Sequence, residues 1–279
     1  MLFRSGLFVL TNFAVLIVLS IVLNVLGLNQ SGTGGMLVFA AIFGMGGAFI
    51  SLFLSKSMAK RAVGARLIET PVNSSERWLV DTVTRQAEAA GIGMPEVAVF
   101  DSATPNAFAT GANKNDALVA VSSGLLRHMQ ENEVEAVLAH EVSHIANGDM
   151  VTLALLQGVM NTFVIVFAHI IAAALDRDGR GRGMGYFIGY YVAQMGLGFL
   201  ASLVVMWFSR YREYRADAGG AALSSRANMI AALQRLQQVP GDSPLPDGVE
   251  AFGIAGGLGH LLSTHPPLPR RIEALQRGE

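Results

Sequence analysis

Residues 133–149 read EVEAVLAHEVSHIANGD, and at the centre of that run stands His140-Glu141-Val142-Ser143-His144. On a helix, side chains four apart share a face, so His140 and His144 can grip one metal ion. Glu141 follows the first histidine and can lean over the open side of such an ion. There it can take a proton from a water. The spacing predicts a helix: Val134, Val137, Leu138, Val142 and Ile145 recur mostly at three- and four-residue steps, no proline interrupts them, and Asn147-Gly148 ends the run. The bland alternative is a surface helix with two incidental histidines.

The totals around this run are unusual. The chain has 279 residues, a formal charge of −1, 52% hydrophobic and 15% charged residues, and no cysteine. Its mean hydropathy is +0.44. So little charge points to the membrane. The absence of a basic excess argues against nucleic acid as a partner. Without cysteine there are no disulfides, and a zinc site must use histidine and carboxylate.

No charged residue occurs between Arg4 and Lys56. Leu7–Leu28 and Met36–Leu54 are each long enough to span a bilayer, and the polar turn at residues 29–35 joins them into a tight hairpin. The first apolar run is too long for a secretory signal and has no obvious cleavage site, so it reads as a retained anchor. Arg4, Lys56, Lys60, Arg61 and Arg66 put positive charge on one side, which assigns the N-terminus and residue 56 onward to the cytoplasm.

Asn73 to Ala90 is amphipathic, with Ser74 or Ser75 as its cap and Gly91 as its stop. Glu96–Phe100, Asn106–Gly111 and Ala117–Ser122 read as short strands of a small, mostly antiparallel sheet beside the metal helix. An exposed edge strand can pair with an extended substrate backbone. Asn106, Ala107, Phe108 and Ala109 are the candidate edge, and plain core strands are the alternative.

Met150–Leu175 and Tyr186–Ser209 are again long enough to span, with an Arg/Asp/Gly loop between them. The arginines of that loop compete with Arg210, Arg212 and Arg215 over orientation, so a shallow hairpin is the alternative to a full crossing. His169, inside the third apolar run, reads as a hydrogen-bonding side chain of the bundle. The expected organisation is a hairpin at 1–57, a cytoplasmic domain in two parts at 58–149 and 210–279, the first carrying the His140–His144 helix, and a second hairpin at 150–209.

A zinc enzyme with two histidines needs a third protein ligand. The candidates are Glu213, Asp149, Asp217, His128, His260 and His265. Two crossings return the chain to the face it left, which favours Glu213. Asp217, four residues on, can orient a histidine ligand. Residues 218–238 read as a further amphipathic helix, and residues 239–248 as a loop that could gate the site. His265 is open to three readings: donor to a transition-state oxyanion, inhibitory fourth ligand, or anchor of the last helix at 269–276.

His140-Glu141-x-x-His144 with Asn147-Gly148-Asp149, the hydrophobic hairpin that follows, and Glu213-x-x-x-Asp217-x-Gly219 resemble the HtpX family of bacterial membrane zinc metallopeptidases. Residues 106–111 (NAFATG) and 263–267 (STHPP) carry the same resemblance, which covers essentially the whole chain. That family is related to the type 1 CAAX prenyl proteases. The resemblance implies a mainly α membrane protein with a gluzincin-like α+β metallopeptidase domain, and endopeptidase activity with one Zn²⁺ per chain. It also implies a multi-pass location in the bacterial inner membrane with a cytoplasm-facing site. The implied role is stress-linked quality control of membrane proteins, alongside an ATP-dependent membrane protease. On this reading His140, His144 and Glu213 hold zinc, and Glu141 moves the proton. The rivals are a CAAX-type processing peptidase and a non-catalytic metal-binding scaffold or transporter.

Overall fold

Among the described residues, three helices are long and apolar enough to cross a membrane: Gly34–Ala62, Asp149–Leu175 and Met184–Leu223. The computed structural model describes residue 21 and residues 33–175, 183–238 and 264–278. The first expected span, Leu7–Leu28, therefore lies outside the described residues, apart from Ile21. So do most of the loop expected after Leu175, the 239–248 loop and His260.

The elements in chain order are α1 (Thr33–Ala62), β1 (Arg66–Leu67), α2 (Ser74–Ala90), β2 (Glu96–Phe100), β3 (Ala107–Asn113), β4 (Asp116–Ser122), α3 (Ser123–His128), α4 (Glu131–Asn147), α5 (Asp149–Leu175), α6 (Met184–Leu223), α7 (Arg226–Gln238) and α8 (Leu268–Arg277). The chain forms two compact units. One comprises Met1–Ser51 with Thr152–Val205, the other Leu52–Val151 with Met206–Glu279.

The first unit turns apolar side chains outward. Phe39, Ile42, Phe43 and Ile50 on α1, and Ile188, Val192, Met195 and Phe199 on α6, are all exposed. Water would penalise such a surface and hydrocarbon would not. Inside the unit, α1 and α5 meet through small residues. A Cβ added to Gly44 would lie 2.7 Å from the backbone nitrogen of Thr162, and one added to Gly158 would lie 3.2 Å from Cα of Met45. Such close backbone approach is how helices associate in lipid, where burial from water contributes nothing. His169 donates through Nδ1–H to Ile165 O, 2.8 Å away, and its ring packs edge-on against Tyr190. It serves the bundle.

The second unit holds a four-stranded sheet in the order β1-β2-β4-β3. The β1–β2 and β3–β4 pairings are antiparallel, but β2 and β4 run parallel. Two of the three pairings are thus antiparallel, as a mostly antiparallel sheet requires, and the parallel β2–β4 pairing makes the sheet mixed. The β3–β4 hairpin docks by β4, so β3 lies two places from β2 and the returning β4 lies along β2. α4 packs across β3 and β4, and α2 and α7 pack on α4. Val134, Val137, Leu138, Val142 and Ile145 of α4 join Leu79, Val83, Val119, Val121 and Leu233 in one buried core. Lys56 and Lys60, on the last turns of α1, both reach Glu96 of β2, at 2.9 and 3.0 Å.

Three boundaries differ from expectation. The cap of α2 is Asn73, not Ser74 or Ser75; its Oδ1 accepts from Glu76 N at 2.8 Å. Asparagine is among the best caps, and its carbonyl reaches the third helical N–H. α6 does not end at Ser209 but continues to Leu223, and α7 begins only at Arg226. Ser225 breaks the run by accepting from Asn228 N at 3.0 Å, an N-cap contact.

Candidate metal centre

α4 starts and stops by its own chemistry. Glu133 accepts from the backbone N–H of Gln130 at 2.8 Å, the return half of a capping box. Gly148 ends the helix at φ +69°, a conformation that costs glycine little. Between these ends, His140, Glu141 and His144 face inward and are almost wholly buried.

The Nε2 atoms of His140 and His144 lie 3.2 Å apart. Glu213, from α6, brings Oε2 to 3.5 Å from Nε2 of His140 and Oε1 to 3.3 Å from Nε2 of His144. Among the described residues these three form the one group of histidine and carboxylate side chains spaced to hold a metal ion. The other ring nitrogens are occupied. Asp217 Oδ1 lies 3.0 Å from Nδ1 of His140, and Asp149 Oδ2 lies 2.7 Å from Nδ1 of His144. Each carboxylate assigns the proton to Nδ1 and leaves the Nε2 lone pair aimed at the centre.

The donor set fits a tetrahedral cation. Ligands bound at about 2.0–2.1 Å around a tetrahedron stand roughly 3.4 Å apart, and the donors here are separated by 3.2–3.5 Å. Charge agrees. Glu141, Asp149, Glu213 and Asp217 are buried carboxylates; Arg271 is buried against Glu213 and Asp217, and Arg212, next to Glu213 in sequence, is buried as well, so four carboxylates face two guanidinium groups. Such an excess of negative charge is costly without a further cation.

Electrostatics sharpen the picture. Burial alone would lower His140, but the carboxylates of Asp217 and Glu213 raise it to about 9. Burial pushes the Glu141 carboxyl up, against the pull of the histidine charges. A carboxyl raised by desolvation is suited to taking a proton near neutral pH.

The remaining candidates separate. His265 Nδ1 lies 2.9 Å from Glu213 Oε2, so the segment after residue 263 reaches the centre on the Glu213 side. Asp149 and Asp217 hold histidine rings instead of facing the centre. His128 bonds Gly124 O at 2.8 Å on α3, away from the group. Asn106, Ala107 and Phe108 are buried, and Phe108 packs on Phe100. Their side chains serve the core. The backbone of β3 is nevertheless an end strand, paired only with β4 among the described strands, and it lies against α4.

Arg271 was not singled out from sequence. Its Nε and Nη2 donate to both oxygens of Asp217, at 2.8 and 2.6 Å, and Nη1 lies 3.4 Å from Glu213 Oε2. The available signal was an unpaired demand: two acidic side chains bound for the interior require a cation, and the basic pair Arg270-Arg271 follows His265 closely.

The chain is similar to known proteins over nearly its whole length. The model of Peptidase family M48 matches residues 73–279. Protease HtpX of Xanthomonas campestris pv. campestris (strain B100) is 60% identical, over 98% of this chain and 97% of that protein. Protease HtpX of Stenotrophomonas maltophilia (strain K279a) is 59% identical, over 99% and 98%. Among solved structures, that of S. mikatae Ste24p superposes with a TM-score of 0.59 at 17% identity, covering 92% of this chain and 66%, just under two thirds, of that one. At that identity the likeness concerns the fold.

Proposed function

The chain belongs to peptidase family M48, in its HtpX group of membrane metallopeptidases, and from that premise we propose a zinc-dependent endopeptidase that cleaves membrane proteins or unfolded segments beside the bilayer, at its cytoplasmic face. The observation that carries the reading is the convergence of His140 Nε2, His144 Nε2 and a Glu213 carboxylate at 3.2–3.5 Å. Two nitrogens and one carboxylate are a donor set that favours zinc and leaves a fourth position open.

When bound, zinc supplies a Lewis acid that polarises a carbonyl and makes water more acidic. The chain's own residues do the rest. Asp217 and Asp149 hold the rings of His140 and His144 in the ligating tautomer. Glu141 takes the proton of the attacking water and hands it to the departing amine nitrogen. The outer edge of β3, at residues 106–109, is the edge to which an extended substrate would pair; these residues are buried, so pairing requires that edge to be uncovered.

The basic residues at Arg4, Lys56, Lys60, Arg61 and Arg66 support the cytoplasmic assignment. Resemblance to the HtpX proteases supports quality control of the bacterial inner membrane, alongside an ATP-dependent membrane protease, as the setting.

The test is cleavage of an unfolded model protein by the detergent-purified chain. Wild type, Glu141→Gln, and wild type stripped with a chelator and then resupplied with Zn²⁺ are compared. The expected result is cleavage by wild type, a rate lower by about 10²–10⁴ in Glu141→Gln, loss on stripping and recovery with Zn²⁺. Full turnover in Glu141→Gln would overturn the assignment of the base. Full turnover after stripping would overturn the metal.

A further inference from the structure

α6 carries two glycines in succession near its end, Gly219 and Gly220, inside a helix of 40 residues. Glycine is the poorest helix former after proline, so the pair needs a reason. Glu213, Asp217 and Gly220 recur at four and three residues and share one face. Where Gly220 meets α4, an added Cβ would lie 3.1 Å from the backbone nitrogen of His140 and 3.2 Å from its Cα. The two helices thus touch backbone to backbone at the first histidine. One residue earlier, a Cβ on Gly219 would overlap Ser143 Oγ outright and lie 2.9 Å from Ser143 Cβ. Gly185, Gly196 and Gly198, on the same helix, would meet nothing within 4 Å. A Cβ on Gly189 would lie 3.3 Å from Leu175 Cδ1 and 3.5 Å from Ala172 Cα of α5, so among the glycines of α6 the approach to α4 belongs to the end that carries the acidic ligand face.

We propose that Gly219 and Gly220 are positioning residues that set the α4–α6 separation and thereby bring Glu213 to the donors of His140 and His144. The inference rests on the metal-centre reading above. Ligand distances in a metal site are held to about ±0.2 Å. At position 219 the Ser143 hydroxyl can rotate away, but Ser143 Cβ, 2.9 Å off, moves only with α4; at position 220 the Met229 sulfur, 3.2 Å off, can yield, but the His140 nitrogen and Cα, at 3.1 and 3.2 Å, are backbone and move only with the helix. Glu213 reaches the centre from α6 alone, so any widening is charged to its contact with the ion. Asp217 would lose its hold on the His140 ring by the same movement.

The experiment uses the full chain in detergent, stripped by a chelator and titrated with Zn²⁺ against a chromophoric competitor. Thermal unfolding of each stripped protein is followed in parallel. The variants are Gly219→Ala, Ser143→Gly, the two combined, Gly220→Ala, and Gly196→Ala as a control with open space around it. Gly219→Ala is expected to weaken Zn²⁺ binding at least about tenfold, the lower end of the loss seen when outer partners of metal ligands are removed. The double variant should regain most of that loss, because Ser143→Gly removes both atoms that the new Cβ meets. Ser143→Gly and Gly196→Ala alone should bind as wild type does. If Gly219→Ala does not fold, Gly220→Ala and the double variant decide by the same criterion. Wild type that binds Zn²⁺ with Gly219→Ala and Gly220→Ala binding equally tightly overturns the inference alone. So does a loss that Ser143→Gly fails to relieve. Wild type that takes up no Zn²⁺ removes the metal-centre reading, and this inference with it.

Discussion

Arg271 grips both oxygens of Asp217, with Nε 2.8 Å from Oδ2 and Nη2 2.6 Å from Oδ1, at full burial. Asp217 in turn stands 3.0 Å from Nδ1 of His140. The guanidinium therefore fixes the carboxylate that fixes the ring. Arg271→Lys keeps the charge but cannot make the planar two-point contact. It is expected to weaken Zn²⁺ binding about 10–100-fold, as losses behind a metal ligand do. Arg271→Met leaves Asp217 and Glu213 buried without their guanidinium, and should destabilise the fold by about 3–5 kcal/mol. Metal titration and chemical unfolding of the two variants measure these effects separately. Wild-type zinc affinity in Arg271→Lys would show that the ring needs no such support.

Glu213 contributes the only negative charge among the three donors that converge on the centre. Glu213→Gln retains size and one oxygen donor but removes that charge. Zinc affinity is expected to fall by more than the 10–100-fold typical of an outer partner. The ligand stabilisation of the fold falls with it. A protein saturated at 100 times its dissociation constant gains about 2.7 kcal/mol, so chelation should lower the melting temperature of wild type and leave that of Glu213→Gln nearly unmoved. Equal shifts in the two proteins would remove Glu213 from the metal's donors.

Gly44 sits so close to α5 that a Cβ there would lie 2.7 and 2.8 Å from the backbone nitrogen and Cα of Thr162. Gly44→Ala should destabilise the helix pair by about 1–3 kcal/mol, the usual cost of overpacking. Gly46→Ala and Gly47→Ala, where a Cβ meets nothing within 4 Å, should not. Thermal unfolding in detergent distinguishes them. Three equal midpoints would mean that α1 and α5 do not pack at Gly44.

The apolar period of α4 was legible because the helix lies between the sheet and α7, so its buried side chains recur with the helical repeat. The nearness of Glu213 to His140 and His144 was approachable from sequence through chain geometry, since two crossings return the chain to one face. Other features had no local signal. Nothing in residues 96–122 distinguishes a parallel β2–β4 pairing from an antiparallel one, because strand order depends on which edge of the hairpin docks. The continuation of α6 past Ser209 was hidden by composition: apolar residues give way to charged ones, yet the helical hydrogen bonds run on to Leu223. Arg271 was hidden because a buried arginine looks like any surface arginine until its acidic partners are placed around it.

Glu76 offers a prediction in pH. Its Oε2 accepts from Val72 N at 2.9 Å and its Oε1 receives Arg66 Nη2 at 2.6 Å, tying the segment after β1 to the first turn of α2. The Val72 N–H first, and then the Arg66 guanidinium, hold its carboxyl below the ordinary value of 4.5. The folded protein therefore binds this proton less readily than the unfolded chain does. A depressed carboxyl contributes stability that is complete above the unfolded value and disappears as pH falls through the folded one. Denaturant unfolding in detergent, run between about pH 6 and about pH 3, should lose stability more steeply in wild type than in Glu76→Gln, which has no carboxylate to protonate. The two proteins should differ most above the ordinary carboxyl range and converge towards the acid end. Parallel curves throughout would mean that Glu76 is protonated as easily in the fold as out of it, and that the strap to Val72 and Arg66 contributes nothing.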